Sequence, residues 1–365
     1  MHSVLRLLKS SLTLSLASAL NPFSTTLFSR YNRPLVRAFT TTNLIMSDFK
    51  DTSEFLDAKW QQSMLRIKDP KVTVPFYEKH FNMQLIHNYN FPQWSFSLYF
   101  MAILPEGMKA PPPNTKESEA WLWDCPKGVL TLELTHNHGT EKDDNFKVNT
   151  GNVEPHRGFG HIAFMCPDVY KAAETLEANG VNFRKRPDEG RMKGIAFATC
   201  PDGYWIELVK RNDASDIKLQ YTLAQTMMRV KDPVKSLHFY RDLMGLNLIR
   251  ESPHSDFTNY FLSHSPEGSD ATMEYNPVLE LTHNHGTEND QDFKYHDGNT
   301  NDAGQGQGFG HIGFIVNDLE KTCEYLEEKG CTFRKKPDTG MAGLAFVYDP
   351  DGYSVELIQK GVTFM

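Results

Sequence analysis

The sequence lacks the features that define several protein classes. Its 365 residues contain no run of about 18 apolar residues, which is the length a membrane-spanning helix needs. The net charge is −8, so the chain has no excess of cations with which to neutralise nucleic-acid phosphates. Its five cysteines form no CxxC pair, and their odd number favours reduced thiols over a disulfide framework. We therefore expect neither a nucleic-acid partner nor a membrane partner.

Acidic residues are absent from the first 45 positions, and the first acid of the chain is Asp48. The same stretch carries five basic residues, Arg6, Lys9, Arg30, Arg33 and Arg37. An acid-free N-terminus rich in Arg and Ser is typical of a mitochondrial transit peptide, so residues 1–45 are predicted to be a disordered leader. A secretory signal around Leu12–Leu20 and initiation at Met46 remain alternatives. We expect a mitochondrial location, a cytoplasmic one, or both.

The remainder of the chain contains an internal duplication. The block Leu132–Glu141 recurs letter for letter as Leu279–Glu288. Three further blocks recur in the same order: Arg66–Pro70 as Arg229–Pro233, Gly158–Ile162 as Gly308–Ile312, and Pro201–Tyr204 as Pro350–Tyr353. Ordered recurrence of this kind indicates a duplicated unit. It predicts two tandem domains, over about 50–213 and 214–365.

Each half contains two smaller units with one order of elements, which is strand, helix and then several alternating strands. Pro70–Phe81 shows helical apolar spacing with an early proline. The second unit predicts a strand at Gly160–Met165, a helix around Val169–Asn179, and strands at Phe183, Ile195–Ala198 and Trp205–Val209. Four such units predict an α+β fold with curved mixed sheets.

Side-chain alternation places two glutamates in apolar surroundings. In Leu130–Thr135 the three leucines share one face of the strand, and Glu133 lies on the other. Glu207 shares its face with Trp205 and Val209. A carboxylate in such company is costly unless a proton or a cation neutralises it.

Four ligand-type residues, one near each of four strands, recur in both halves. They are Gln62, Glu133, His161 and Glu207, with the counterparts Gln225, Glu280, His311 and Glu356. One imidazole nitrogen with amide and carboxylate oxygens suits an open site for Zn²⁺, Ni²⁺, Co²⁺ or Mn²⁺ rather than a closed structural zinc site. Two carboxylates beside a cation also provide a base next to an electrophile, as proton abstraction beside a carbonyl requires.

Each of these residues alone would more often be a surface or structural side chain, and their joint recurrence in order argues against that interpretation. The pair His136 and His138 is a weaker metal candidate, because it lies at the end of a strand, away from Glu133 and just before the loop that starts at Gly139.

The motifs around these residues resemble eukaryotic glyoxalase I, of the vicinal oxygen chelate superfamily, over about 55–360. They are Gln62–Arg66, Leu132–Asn137, Arg157–His161 and Asp202–Glu207. The resemblance implies four βαβββ modules in two tandem glyoxalase domains, acting as a monomeric internal pseudo-dimer. It favours zinc, although Ni²⁺ suits the same ligands.

The resemblance further implies that the two halves exchange ligands. Site 1 would consist of Gln62, Glu133, His311 and Glu356. Site 2 would consist of Gln225, Glu280, His161 and Glu207. Neither half by itself would hold a complete site.

The activity implied by the resemblance is that of a lactoylglutathione lyase, which detoxifies methylglyoxal. The substrate is the hemithioacetal of methylglyoxal and glutathione, and the product is S-D-lactoylglutathione, formed through a cis-enediolate. The base roles fall to Glu207 and Glu280 in one site and to Glu356 and Glu133 in the other.

Glutathione carries carboxylates, so its pocket needs cations and amide donors. The positions that match the family are Arg66, Asn137, Arg157, Lys185, Arg229, Asn284 and Lys335. The apolar end of the pocket matches Phe100, Met192 and Phe197, with the counterparts Phe261, Met341 and Phe346.

Two alternatives to this function remain open. Another enzyme of the superfamily is one, although a dioxygenase holds iron with two histidines and a carboxylate, and Gln62 and Gln225 do not fit that set. A non-catalytic binding module is the other, and the intact ligand sets of both halves count against it.

The two copies are not equivalent, because Gln307 stands where the first half has Arg157, and Gly190–Met192 is shortened to Gly340–Met341. One charge-assisted contact is worth about 1.4 kcal/mol, or about tenfold in affinity. We predict that the site with Arg157, site 2, has a KM about tenfold lower than site 1. Steady-state kinetics of Glu133→Gln, which leaves site 2 working, and of Glu280→Gln, which leaves site 1 working, measure the difference. A lower KM in the Glu280→Gln enzyme would contradict it.

Overall fold

The computed structural model describes residues 55–124, 128–301 and 306–364. The predicted leader and Cys125 lie outside these residues. The strands are β1 (Lys59–Ile67), β2 (Gln84–Phe91), β3 (Phe96–Ala102), β4 (Thr131–Asn137), β5 (Phe159–Cys166), β6 (Phe183–Lys185), β7 (Ala196–Thr199), β8 (Trp205–Lys210), β9 (Thr222–Val230), β10 (Asn247–Pro253), β11 (Phe257–Ser263), β12 (Val278–Asn284), β13 (Phe309–Val316), β14 (Phe333–Lys335), β15 (Leu344–Tyr348) and β16 (Ser354–Gln359). The helices are α1 (Pro70–Phe81), α2 (Lys116–Leu122), α3 (Val169–Ala178), α4 (Pro233–Leu237) and α5 (Leu319–Glu328). Over the described ranges, no helix has the length and apolar character to cross a membrane.

The predicted helices begin at aspartate caps. Asp69 accepts a hydrogen bond from the backbone N–H of Lys71, and Pro70 occupies the first helical turn, so α1 begins where expected. Asp168 starts α3 in the same way. In the second half, α4 continues into a π-helical turn over His238–Leu243, which the sequence did not predict. The predicted α+β class, built from four βαβββ units, is confirmed.

The strands form two eight-stranded sheets, and each sheet takes strands from both halves of the chain. One sheet has the order β14-β15-β16-β13-β1-β4-β3-β2, so it joins the first unit to the fourth. The other has the order β10-β11-β12-β9-β5-β8-β7-β6, so it joins the second unit to the third. The joins are the antiparallel pairs β1–β13 and β5–β9. Each half of the duplication therefore contributes to both sheets.

Matching contacts tie the two sheets together near these joins. The rings of Phe159 and Phe309 stack with centroids 4.9 Å apart. The hydroxyl of Tyr204 donates to the carbonyl oxygen of Arg66 over 3.0 Å, and Tyr353 donates to that of Arg229 over 3.1 Å. These rings are fully buried, so the pseudo-twofold contact belongs to the main hydrophobic core.

Gly308 lies where the chain crosses closest at this contact. A Cβ added there would come 1.7 Å from the carbonyl oxygen of Asn149, a backbone atom that no side-chain rotation can move. We predict that Gly308→Ala lowers the free energy of unfolding by about 3 kcal/mol, the upper part of the usual range for overpacking. Urea unfolding followed by circular dichroism measures it.

Gly330→Ala is the matched control for this substitution. Gly330 has a φ of +85° and open space around its Cβ position, so alanine there meets only backbone strain of about 1–2 kcal/mol. Equal losses in the two variants would contradict a close crossing at Gly308.

Candidate metal centres

Site 1 is assembled from four strands of one sheet. Gln62 lies on β1, Glu133 on β4, His311 on β13 and Glu356 on β16, and all four side chains are buried. The Gln62 Nε2 donates to Glu133 Oε2 over 2.6 Å and to Glu356 Oε2 over 2.7 Å. His311 Nε2 lies 3.2 Å from Glu133 Oε2 and 3.0 Å from Glu356 Oε2. The strand exchange thus brings two residues of each half to one point.

The register explains why these side chains meet. Met64 on β1 pairs with both Glu133 and His311, so the two ligand strands flank β1 at one level. Gly313, which faces Gln62 across the join, leaves the space that the Gln62 side chain occupies, because a Cβ there would lie 2.7 Å from Gln62 Cγ. Local packing therefore orients the Gln62 amide toward the carboxylates of Glu133 and Glu356.

Site 2 repeats this arrangement in the other sheet. Gln225 Nε2 donates to Glu207 Oε2 over 2.7 Å and to Glu280 Oε2 over 2.8 Å. His161 Nε2 lies 3.2 Å from Glu207 Oε2 and 3.5 Å from Glu280 Oε2. The two halves again contribute equally, with His161 and Glu207 from the first.

Burial and neighbouring charges shift the pKa values of the ligand side chains in both sites. It raises the pKa of Glu280 and of Glu356, since a charged carboxylate loses its hydration there. Burial alone would lower the pKa of His161, but the nearby Glu207 and Glu280 outweigh it and raise that pKa to about 9. Glu356 and Glu133 raise the pKa of His311 to about 9 in the same way, against its own burial. Each cluster thus favours positive charge between its carboxylates.

The donor atoms of both sites fit a divalent cation. Within each triad of two glutamates and a histidine, the ligand atoms lie within 4.8 Å of one another. In site 1 the amide oxygen of Gln62 is buried without a hydrogen-bond partner among the described residues. A half-turn of that amide would place its oxygen beside two carboxylates. Three oxygens so close together are stable only when a cation lies between them. Imidazole, amide and carboxylate donors suit Zn²⁺ or Ni²⁺.

The predicted His136 and His138 do not join either cluster. His136 Nε2 lies 2.9 Å from Glu141 Oε2, and His138 Nε2 lies 2.8 Å from Ser97 Oγ. The same arrangement recurs in the second half, where His283 Nε2 lies 2.7 Å from Glu288 Oε2. His136 and His283 therefore stabilise the turns that follow β4 and β12.

A cavity of about 840 Å³ opens beside the site 2 ligands. It brings together many of the residues predicted to hold substrate: Arg157, Lys185, Met192, Phe197, Arg229, Phe261 and Asn284. Its volume lies within the usual range for small-molecule sites. The ring of Phe197 stands edge-on to His161 at 5.4 Å, and Phe346 does the same to His311 in site 1.

The arginines predicted to bind substrate differ in how many of their N–H groups already donate hydrogen bonds within the protein. Arg229 is buried and donates to the carbonyl oxygens of Gly151 over 3.1 Å and Phe159 over 3.0 Å, with further bonds nearby. Its counterpart Arg66 donates to Asn299 Oδ1 over 2.9 Å. These two arginines therefore tie the crossing segments together in addition to placing charge near each site. Among the described residues, the Arg157 guanidinium pairs with Glu154 alone, at 3.1 Å, so Arg157 is the more available cation.

Three other residues predicted to bind substrate also form hydrogen bonds within the protein. Lys185 Nζ donates to the carbonyl oxygen of Ile195, and Lys335 Nζ donates to that of Met341 over 2.8 Å. Asn284 Nδ2 donates to the hydroxyl of Tyr295 over 2.7 Å. Asn137, the counterpart of Asn284, ends β4 and is half-buried.

Sequence reasoning missed Asn259 on β11. Its Nδ2 donates to Glu280 Oε1 over 2.6 Å, so it holds the carboxylate oxygen that does not face the ligand cluster. Thr135 Oγ1 plays that part in site 1, 3.1 Å from Glu133 Oε1. No repeated motif marks Asn259, because the first half has Leu98 at the equivalent place.

Comparison with known proteins identifies the fold and its lineage. The family model described as Glyoxalase/Bleomycin resistance protein/Dioxygenase superfamily matches twice, over 60–208 and 222–357. The solved structure of glyoxalase I from Zea mays superimposes with a TM-score of 0.61 at 26% identity, covering 83% of this chain and 92% of that one.

Two curated relatives narrow the assignment. The Saccharomyces cerevisiae protein named "Glyoxalase I" is 43% identical over 82% of this chain and 91% of its own length. The Schizosaccharomyces pombe protein named "Lactoylglutathione lyase" is 38% identical over 85% of this chain and 99% of its own. The chain therefore belongs to the glyoxalase/bleomycin resistance/dioxygenase superfamily and, within it, to the glyoxalase I family.

Two equivalent ligand clusters predict two metal ions per chain. Removing the His311 imidazole takes away the one nitrogen donor of site 1 and leaves only oxygen donors, which hold zinc more weakly, so His311→Ala should keep about half as much divalent metal as the parent protein. Mass spectrometry of metal in protein dialysed after zinc loading measures the ratio. His136→Ala, a histidine outside both clusters, should bind the full amount. Full binding by His311→Ala, or an equal loss in both variants, would argue against these ligands.

Proposed function

We propose that this protein is a lactoylglutathione lyase with two active sites. The observation that carries the proposal is that two buried carboxylates, an imidazole and an amide converge twice. At site 2 they do so beside a cavity lined with cations. Sequence identity of 43% and 38% to two relatives named for this activity supports the proposal. The substrate is the hemithioacetal of methylglyoxal and glutathione.

We assign the metal to Gln62, Glu133, His311 and Glu356 in site 1, and to Gln225, Glu280, His161 and Glu207 in site 2. A divalent cation bound there supplies Lewis-acid chemistry that acidifies the C–H bond next to the substrate carbonyl. Zinc is the proposed ion, and Ni²⁺ remains compatible with the same donors.

The glutamates move the proton. In site 2 Asn259 fixes one oxygen of Glu280, which leaves Oε2 facing the reacting position. Burial raises the pKa of Glu280 and therefore makes it a stronger base than an exposed carboxylate. The proton leaves one carbon and returns to its neighbour, so the reaction is an isomerisation that needs no oxidant or reductant. Glu207 faces Glu280 across the cluster and is placed to share this role.

The glutathione part of the substrate carries two carboxylates, and the cations of the cavity suit them. In site 2 we propose that Arg157 binds a glutathione carboxylate directly, because it lines the cavity and its guanidinium has N–H groups beyond the one that pairs with Glu154. Arg229 and Lys185 contribute charge at the same wall. In site 1, Arg66 and Lys335 occupy the equivalent positions.

Three wider assignments accompany this function. We propose that the chain acts as a monomer, since each site takes ligands from both tandem domains, 50–213 and 214–365. Residues 1–45 are proposed to direct it to mitochondria, and a start at Met46 would supply a cytoplasmic form.

The base assignment predicts the behaviour of Glu→Gln variants. A general base contributes about 10²–10⁴-fold, so the double variant Glu133→Gln/Glu280→Gln should lose at least about 100-fold in kcat. Each single variant should retain one working site. Formation of the thioester followed by absorbance, after chelation and re-addition of single metals, gives the rates. Glu177→Gln, a change at an exposed carboxylate that pairs with Arg186, is the control and should match the parent.

Two results would count against the proposed function. One is near-parental activity in the double variant. The other is protein that carries stoichiometric metal and yet turns over no hemithioacetal with zinc, nickel, cobalt or manganese, which would favour a binding module.

A further inference from the structure

The two sites share their ligands but differ in the wall that faces them. Phe100 lies opposite Glu133 across β3 and β4, and Phe261 lies opposite Glu280 across β11 and β12. These phenylalanines align the two walls residue by residue. On the neighbouring strand, His87 pairs with Phe100, and Arg250 pairs with Phe261.

The alignment continues along the same strands. The pair Tyr89 and Leu98 in site 1 corresponds to the pair Ser252 and Asn259 in site 2. Two residues further along the chain, Phe91 corresponds to His254, which lies just past the end of β10. The substitutions all run in one direction, from apolar or neutral side chains in site 1 to polar or charged ones in site 2.

The site 1 wall is a packed aromatic cluster. Tyr89 stacks on Phe91 at 5.6 Å and on Trp123 at 6.4 Å, and Phe100 meets Trp123 edge-on at 5.3 Å. The Tyr89 hydroxyl donates to Glu119 Oε1 and accepts from Trp123 Nε1, each over 2.8 Å. These polar atoms are therefore engaged within the wall, and the apolar ring faces form most of it.

Two segments close this wall from outside. Helix α2 packs on β2, and the C-terminal Phe364 lies edge-on to Tyr89 at 5.8 Å and to Trp123 at 5.7 Å. The backbone N–H of Phe364 donates to Glu119 Oε1 over 2.6 Å. Met341, predicted to line the apolar end of the pocket, packs against the same cluster.

The site 2 wall is open. The loop between β11 and β12, residues 264–277, is half as long as residues 103–130 of the first half, and it holds only one short helical turn, Ala271–Met273. Arg250, Ser252, His254 and Asn259 consequently line the 840 Å³ cavity. Nothing equivalent to α2 covers them within 264–277.

Arg250 brings a positive charge to this opening. Its Cζ lies 4.0 Å from the centre of the Phe261 ring, the residue opposite Glu280. Among the described residues it forms no ion pair at contact distance, and its charge acts on Asp270 and Glu280 only from farther away, so its guanidinium keeps donors for a ligand anion. In site 1 the equivalent His87 is buried, which lowers its pKa and leaves it neutral near pH 7.

We propose that the two sites sort their substrates by the side chain of the 2-oxoaldehyde. This inference rests on the proposed function. Site 1 accepts apolar side chains, because a charged group there would lose its hydration without gaining a partner. Site 2 accepts anionic side chains, with Arg250 as the residue that binds them. The duplication thus widens the range of aldehydes that one chain can process.

Single-site enzymes test the sorting directly. Glu280→Gln leaves site 1 working, and Glu133→Gln leaves site 2 working. The glutathione hemithioacetals of phenylglyoxal and 4-carboxyphenylglyoxal differ only in a carboxylate. We expect the kcat/KM ratio of the carboxylated to the plain substrate to be at least about tenfold higher in the Glu133→Gln enzyme. Equal or reversed ratios would overturn the proposal.

Arg250 is tested in the Glu133→Gln background. Arg250→Leu should lower kcat/KM for the carboxylated substrate about tenfold relative to kcat/KM for phenylglyoxal, because only the carboxylated side chain loses a charged partner. Arg186→Leu, at an exposed arginine that pairs with Glu177 outside the cavity, is the matched control and should change neither. An unchanged ratio in Arg250→Leu would remove Arg250 from the proposal.

Binding separates failure of this inference from failure of the proposed function. Calorimetry with S-benzylglutathione and S-(4-carboxybenzyl)glutathione needs no turnover. If neither single-site enzyme converts methylglyoxal, the proposed function fails, and the binding ratio of the parent and Arg250→Leu proteins still decides the sorting. If both convert methylglyoxal with equal side-chain ratios, only the sorting fails.

Discussion

Both sites depend on the antiparallel pairing of β1 with β13 and of β5 with β9. Each pairing joins strands from opposite halves of the chain and brings an amide and a glutamate from one half beside a histidine and a glutamate from the other. The stacked pair of Phe159 and Phe309 lies at the centre of this exchange. Because both ligand sets span a join, folding of both halves is a condition for either site.

The second constraint is electrostatic. Two carboxylates buried at hydrogen-bonding distance from one imidazole are unstable as separate charges, since the protein interior solvates them poorly. The raised pKa values of His161, His311, Glu280 and Glu356 express that cost as a preference for positive charge at the centre. A divalent cation held there would offset this cost, and under the proposed function the same charge would serve the proton transfer assigned to the glutamates.

The duplicated halves have kept the ligands and changed the walls. The block around Glu133 and Glu280 is identical over ten residues, whereas β2 and β10 share little of the face they turn to the site. The chemistry needs one donor set at fixed distances, so little variation is possible there. The aldehyde side chain imposes no such geometry, and the wall is free to become aromatic and closed in one site and cationic and open in the other.

The sequence by itself determined the local elements and the ligand residues. Helix α1, its cap at Asp69 and the position of Glu133 on the strand face opposite the leucines follow from short-range periodicity, which depends only on neighbouring residues. The exchange of ligands between halves came from family resemblance and not from spacing, because strand pairing over such separations leaves no local signal. Only the tertiary structure decided that Asn259 holds Glu280 and that α2 and Phe364 close site 1. Those roles arise from contacts between distant segments, whose side chains look ordinary within their own strands.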